Sequence, residues 1–445
     1  MKKIQFSKSG MKIIIMLVMI LLFLIPISLI KDLIHDRRSY QSEAVDSIIL
    51  PLGGRSEILG IVVALPYKVH STFVDSKGVS RTETSTDYIL FAPDVYDLSV
   101  SVLPRFLSRG IFKVPVFQGE IAMNAKFSSF DCSHYKIDER DLMMDEAVLM
   151  LGVSNPKTLC AQPSISADGG KLSVSSIKYD SISPFSTTVY FSLPLARMED
   201  GLNLTGTVKF QGGESIKIQP VAADNEIRME SSWATPSFSG GWLPSERSVK
   251  SDGFSAVWNI AGLSTAFPKS WRAEEKIRGE SVEVSLITPV DTYKKTTRSI
   301  KYALLFLLVP FISIFICEIF SKVQIHPVQY CLVGLADVMF YLLLLSISEH
   351  LPFNTSYALS ALCVCTTTFL YSAAIFHRFK WGALLSAVQM ISYVFLYGTL
   401  QAEDYALLIG SIGLFMVVAL LMFITRKIDW YDIRSGGVDA LLEEK

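Results

Sequence analysis

The chain has 445 residues, half of them hydrophobic, and a formal net charge of −1 from 41 basic and 42 acidic residues. That balance excludes an electrostatic grip on nucleic acid, which needs clustered Lys and Arg. No run of like charge marks a disordered tail, and no internal repeat or Pro-rich or Gly/Ser-rich linker divides the chain.

The first predicted element is an apolar span at about 13–30, behind a basic start made by Lys2, Lys3, Lys8 and Lys12. A bilayer core of ~30 Å takes about 20 helical residues, so this stretch is long enough to cross. It is longer than a secretory h-region, and Ile30-Lys31-Asp32 offers no small-residue cleavage site, so it reads as an uncleaved anchor. Pro26 near its end is tolerable where neighbouring helices satisfy the freed carbonyl. Residues 31–49 extend the helix, with Leu33, Ile34, Val45, Ile48 and Ile49 as a patchy apolar face amid charge.

After Pro51-Leu52-Gly53-Gly54 the hydrophobic period drops to two. Twelve β-rich runs follow: Leu59–Leu65, Asp87–Phe91, Asp97–Leu103, Ile111–Phe127, Ala147–Val153, Lys171–Tyr179, Thr187–Leu195, Leu202–Phe210, Glu214–Val221, Glu226–Trp233, Phe254–Ile260 and Ser281–Ile287. Leu202, Leu204, Val208 and Phe210 alternate cleanly, and Gln211-Gly212-Gly213 leads into the next run, which is a hairpin signal. The pattern predicts an antiparallel sandwich-like or barrel-like β domain, large enough to bury its own core. Ser232–Pro244 gathers Trp233, Phe238 and Trp242 among prolines and glycines. That is either an exposed recognition corner or an aromatic anchor between strands. Cys132 and Cys160 are the only cysteines of this domain; in an oxidising compartment they are a candidate disulfide.

Further apolar spans follow at about 302–320, 328–347, 354–376, 381–400 and 405–424. The loops at 346–354 and 401–405 carry Glu349, His350, Glu403 and Asp404 but no Lys or Arg, whereas the alternate turns carry Lys322, Arg378 and Lys380, and Arg426 and Lys427 follow the last span. Basic short loops stay inside, so both termini are expected in the cytoplasm and residues 31–301 outside it. Arg37, Arg38, Lys294, Lys295, Arg298 and Lys301 flank the outer domain and pull the other way. Long domains translocate largely regardless of charge, so the short loops decide. The expected parse is a cytoplasmic N-terminus and anchor at 1–30, a periplasmic β-rich domain at 31–301, a five-helix bundle at 302–424 and a cytoplasmic tail at 425–445. This is an α+β membrane protein with six transmembrane helices.

Local chemistry is sparse. The six histidines are scattered, and neither a metal-protease helix nor a nucleophile elbow occurs. Asp168-Gly169-Gly170-Lys171-Leu172 lacks the leading glycine and the hydroxyl residue of a phosphate loop, so it reads as a hairpin turn. Cys363 and Cys365 are one residue apart rather than the two of metal and redox pairs, and with Cys317 and Cys331 they read as small apolar packing residues. No cofactor or metal is implied. Within the spans, Asp337 and Gln389 lie near mid-depth, while Glu318, His326, Glu349 and His350 lie near span ends. A carboxylate inside a bilayer costs roughly 2.5–3.5 kcal/mol on insertion scales and is a functional suspect. Asp337, with Gln389 as hydrogen-bond partner, is a candidate for a proton or ion path, or a polar tie inside the bundle.

His326-Pro327-Val328-Gln329-Tyr330 followed by Ser348-Glu349-His350, and Thr425-Arg426-Lys427-Ile428-Asp429-Trp430-Tyr431 at the end, resemble the CreD-type inner-membrane proteins, also called cell envelope integrity proteins. Trp233…Pro236-Ser237-Phe238…Leu243-Pro244, Gly253-Phe254…Trp258, Arg37…Tyr40 and Thr288-Pro289…Tyr293 also fit. Gly60-Ile61 stands where the family pattern has Gly-Pro, and Asp337 where it has an apolar residue. The resemblance implies a Gram-negative-type inner membrane, a role in envelope integrity or stress and altered colicin tolerance, and supplies no catalytic residues. The expected function is non-enzymatic support of the envelope through the outer domain, in contact with lipid bilayer and with envelope proteins or peptidoglycan. The alternatives are transport of a proton or small solute through the bundle, and an enzyme acting on lipid or peptidoglycan. Oligomeric state is left open.

Overall fold

The computed structural model describes residues 8–74, 80–175, 184–185, 187–195, 197, 201–265, 267–275, 277, 279–286, 292–321, 323–402 and 405–426. The chain forms two compact units, Gln41–Pro289 and Met1–Tyr40 with Val290–Lys445. Helix α1 (Lys8–Ile49) runs unbroken through Pro26 for 42 residues, and its last turns count with the first of these units.

The β unit contains β1 (Ser56–Val74), β2 (Ser80–Phe91), β3 (Val95–Arg109), β4 (Phe112–Phe127), β5 (Val148–Val153), β6 (Ser164–Ala167), β7 (Gly170–Lys171) and β8 (Thr187–Ser192). It continues with β9 (Leu202–Gly213), β10 (Ser215–Ile218), β11 (Asp224–Ser231), β12 (Pro236–Gly240), β13 (Glu246–Lys250), β14 (Gly253–Ala261), β15 (Ser270–Arg272) and β16 (Val282–Leu286). Among the described residues they make two eight-stranded sheets. One runs β12-β16-β10-β1-β2-β15, with β5 on β1 and β8 on β5; the other runs β13-β14-β11-β3-β4-β9-β6-β7. Alternation along β3, buried at Tyr96, Leu98, Val100 and Val102, points every second side chain inward. These residues share one core with Ile61, Val63 and Leu65 of β1 and Val208 and Phe210 of β9, so the two sheets close as a sandwich. The end of α1 adds a small cluster in which Val45, Ile48 and Ile49 pack on Val114 and Val116 of β4.

Two expectations need correction. The sandwich is not wholly antiparallel: β1 pairs β10 in parallel over Ser56–Ile58, and β11 pairs β3 in parallel over Asp224–Ser231. Nor is Gln211-Gly212-Gly213 a hairpin turn. Strand β9 stays on β4 and β6, while β10 belongs to the other sheet, so the chain changes sheets at Glu214, whose φ is +63°. The glycines are there for close approach. A Cβ on Gly212 falls 2.2 Å from Ser56 Oγ, and one on Gly213 falls 2.3 Å from Ile49 Cγ2. Gly60 has a similar reason. It sits at a bulge in β1 with φ +91°, and a Cβ there falls 2.6 Å from Val221 Cγ1. The turn at Asp168-Gly169 is the two-residue hairpin between β6 and β7, both residues having positive φ.

Of the run Lys171–Tyr179, strand structure covers only Lys171, with a single bridge from Val174 to Phe191, and 176–179 lie outside the described residues. Strands β6, β12, β13 and β15 have no counterpart among the twelve runs.

Asp94 is a pH-sensitive joint of the sandwich. Burial works to raise its pKa, but the Ser128 N–H at 2.6 Å and Lys269 Nζ at 3.0 Å outweigh it and hold the carboxyl below its usual value. A depressed folded-state pKa contributes stability above the unfolded value, lost as pH falls through the folded one. An Asp94→Asn chain is expected to be less stable at neutral pH and to lose less stability on acidification from about pH 5 to 2. Unfolding midpoints measured across that range check this.

The helical unit holds the first part of α1 with α2 (Thr292–Lys301), α3 (Ala303–Ser321), α4 (Pro327–Ser348), α5 (Phe353–Ile375), α6 (Phe379–Gln401) and α7 (Ala406–Thr425). Helices α1, α3, α4, α5 and α6 are long and apolar enough to cross a membrane. The sixth expected span falls on α7, where Leu408–Ala419 is a shorter apolar stretch among the described residues. Phe23, Ile27, Ile30 and Ile34 of α1 recur at helical spacing and are buried, while Leu17, Leu21, Ile25 and Leu29 are exposed. Phe23 meets Phe311 edge-on at 6.1 Å, in a notch left by Gly334, where a Cβ would fall 2.7 Å from both rings.

Candidate functional site

The sequence-predicted polar residues fall into three groups in the helical unit. Glu318 ends α3 and is 11% exposed. It takes an ion pair from Lys12 of α1, the Tyr330 hydroxyl at 2.7 Å and the Ile325 N–H at 3.2 Å. His326 caps α4: its Nδ1 accepts the Val328 N–H at 3.3 Å, Pro327 takes the first helical position, and Gln329 Oε1 accepts the His326 N–H at 3.0 Å. The His-Pro-x-Gln-Tyr run is therefore a helix start with a carboxylate clasp beside it.

The second group lies at the other end of α4. Glu349 Oε1 is ion-paired with Arg37 Nε of α1 at 3.5 Å and accepts the Tyr293 hydroxyl of α2 at 3.2 Å. His350 is exposed beside it. Lys295 of α2 donates to Gln401 Oε1 at 3.1 Å, and Gln401 donates to Tyr397 at 2.7 Å and Asn354 at 3.3 Å. Lys12 and Arg37 are 25 residues apart on α1, about 37 Å at a rise of ~1.5 Å per residue. One helix is thus pinned to the bundle by opposite charges at two points farther apart than the ~30 Å hydrocarbon core.

The third group is at mid-depth. Gln389 Nε2 of α6 donates to Asp337 Oδ1 of α4, and the Tyr393 hydroxyl donates to the same oxygen at 3.3 Å. Asp337 is 5% exposed and Gln389 2%. Tyr341 and Tyr393 stand four residues after Asp337 and Gln389, on the same helix faces. That spacing is the signal that links these tyrosines to the pair. Lys12 and Arg37 carry a weaker one, since their acidic partners lie far away in sequence. Chemically the outer two groups are clasps, and the middle one is a carboxyl held by neutral donors.

In the β unit, the aromatic corner packs inward. Trp233 is buried, lies 5.3 Å from Phe106 and donates Nε1 to Thr235 O at 3.1 Å. Phe238 sits edge-on to Phe254 and Trp258, and Trp258 Nε1 donates to Trp242 O at 3.3 Å. Cys132 and Cys160 are both free. Cys132 is buried, its thiol donating to Phe130 O and pushed up to about 11 by burial and by Asp131, whereas Cys160 is exposed. Among the described residues no group of His, Cys, Asp and Glu is placed to hold a metal. Lys322, Glu403, Asp404, Thr288, Pro289 and 427–431 lie outside the described residues.

A solved M1 zinc metallopeptidase from Deinococcus radiodurans overlaps 44% of this chain and 42% of its own, less than half its length, at 8% identity and a TM-score of 0.22. That likeness carries no argument. The "Inner membrane protein CreD" of Escherichia coli (strain K12) is 27% identical over 417 residues, covering 93% of this chain and 91% of that protein. The profile of the family described as "Inner membrane protein CreD" matches residues 8–431. With a match across nearly its whole length and the apolar helices to go with it, the chain belongs to the CreD family of multi-pass inner membrane proteins.

Proposed function

We propose that this chain supports the integrity of the cell envelope without enzymatic chemistry, through its β unit, held outside the cytoplasm between the first and second of six crossings. The observation that carries the reading is the division of the chain: a β sandwich with its own core is inserted between apolar α1 and the remaining apolar helices. Two further points support it. The basic short loops favour cytoplasmic termini, with α7 as the sixth crossing. Glu318, His326 and Glu349 are engaged in clasps and a cap rather than grouped as an acid–base set. On this reading the partners are envelope proteins or peptidoglycan, and loss of the protein changes tolerance to envelope stress and colicins. Photo-crosslinking residues at the exposed Leu103, Leu243 and Val249 test it in living cells. Adducts with envelope components are expected. A β unit that captures none under envelope stress, at any of the three positions, contradicts the reading.

A further inference from the structure

Among the described residues of the bundle, Thr368 Oγ1 and three atoms of the α4–α6 polar group are buried without a partner, the three being Asp337 Oδ2, the Tyr341 hydroxyl and Gln389 Oε1. All three residues are more than nine-tenths buried. In a bilayer core no bulk solvent reaches such groups, and each unmade hydrogen bond costs free energy. Beside them lies a cavity of about 10 Å³, lined by Ile27, Ala303, Phe306, Leu307, Asp337, Val338, Tyr341 and Tyr393. That is close to the least space that holds one water, and a water needs two to four polar partners there. The lining supplies three: the free Asp337 oxygen, the free Tyr341 hydroxyl, and the Tyr393 oxygen, whose proton already goes to Asp337 Oδ1. No Lys, Arg or His lines the cavity. A metal cation fits poorly, because these three oxygens fall short of the six or more that hard cations take.

We infer that this cavity is a binding site for a single water molecule, which accepts the Tyr341 O–H, shares a hydrogen bond with Asp337 Oδ2, and turns a proton toward the Tyr393 oxygen. The site is closed by apolar side chains of α1 and α3, Ile27 among them. The water therefore joins α4 and α6 at the point where α1 covers them. It also explains how a carboxyl is kept at mid-depth with no basic partner: Oδ1 is satisfied by Gln389 and Tyr393, and Oδ2 by the water.

Two measurements on the full-length chain test this. In a nanodisc structure at water-resolving resolution, a solvent peak is expected within about 2.6–3.2 Å of both Asp337 Oδ2 and the Tyr341 oxygen. An empty cavity, or one filled by a side chain, overturns the inference. The second measurement compares Asp337→Leu, Tyr341→Phe and the double variant by their midpoints of unfolding in denaturing detergent. The two groups share no direct hydrogen bond, so a bridging water predicts that the double variant shifts the midpoint by clearly less than the sum of the single shifts. Additive shifts would overturn it. Should Asp337→Leu fail to fold, Asp337→Ala, which also removes both carboxyl oxygens, takes its place in the same cycle with the same two outcomes.

Discussion

Gly212→Val is expected to break the β unit. A Cβ at this position falls 2.2 Å from Ser56 Oγ, 2.9 Å from Phe117 Cζ and 3.0 Å from Gly54 O. Two of these neighbours have little room to move. Ser56 is fully buried, and its hydroxyl donates to Gln211 O at 2.5 Å; Gly54 O accepts the Gly213 N–H at 3.0 Å. The bulk therefore lands where β9 leaves one sheet and β1 begins in the other, and it parts them. Overpacking costs typically ~1–3 kcal/mol and a buried unsatisfied hydroxyl a further ~1–3, so a loss of about 3 kcal/mol or more is expected. The control is Gly169→Ala at a hairpin tip. There φ is +85° but nothing lies within 4 Å of a Cβ, and only the left-handed backbone cost of ~1–2 kcal/mol applies. Thermal unfolding with limited proteolysis of the β unit ranks the two. Equal stability of both variants would contradict the sheet-switch account.

Glu318→Ala carries the second large effect, in the helical unit. It strands the Tyr330 hydroxyl and the Ile325 N–H, both on residues at most 3% exposed, and leaves Lys12 without its partner. Removing one partner of a buried pair costs ~3–5 kcal/mol. Lys12 keeps 30% exposure and can turn to water, so about 3 kcal/mol is expected. Glu318→Gln keeps an oxygen for Tyr330 and Ile325 and should fall between the parent and the alanine variant. The Arg37 pair with Glu349, at 3.5 Å and with Arg37 46% exposed, is worth less, about 1 kcal/mol or under. Unfolding in denaturing detergent should therefore rank Glu318→Ala below Glu349→Gln. The reverse order would place the main hold on α1 at the other end of α4.

The helical layout is legible in the sequence because lipid demands unbroken apolar runs in which every backbone group is satisfied internally. The bounds of α3 to α6 follow from that alone. In the β unit, long alternating strands such as β3, β4 and β9 declare themselves, but β13 (Glu246–Lys250) has every residue exposed and no inward face to reveal it. Edge strands of this kind carry charge instead of pattern. Gly212-Gly213 misleads because a glycine pair looks the same whether it turns a chain or lets two sheets approach; only the neighbours Ser56 and Ile49, over 150 residues away, separate the two. Asp337 and Gln389 are legible as a pair from depth. Their cavity is not, because its lining comes from four separate helices.

The central claim is that the β unit works outside the cytoplasm, and the native Cys160 tests it. It is the exposed cysteine of that unit, while Cys132 is buried. Partial burial outweighs the nearby Arg105 charge and raises the Cys160 thiol, so labelling belongs at mildly alkaline pH. Cells with a permeabilised outer membrane but an intact inner membrane are treated with a membrane-impermeant maleimide, alongside a Cys160→Ser chain. The account predicts that Cys160 is modified from outside and that the signal vanishes in the serine variant. Modification of Cys160 only after the inner membrane is opened would place the β unit in the cytoplasm and contradict the account.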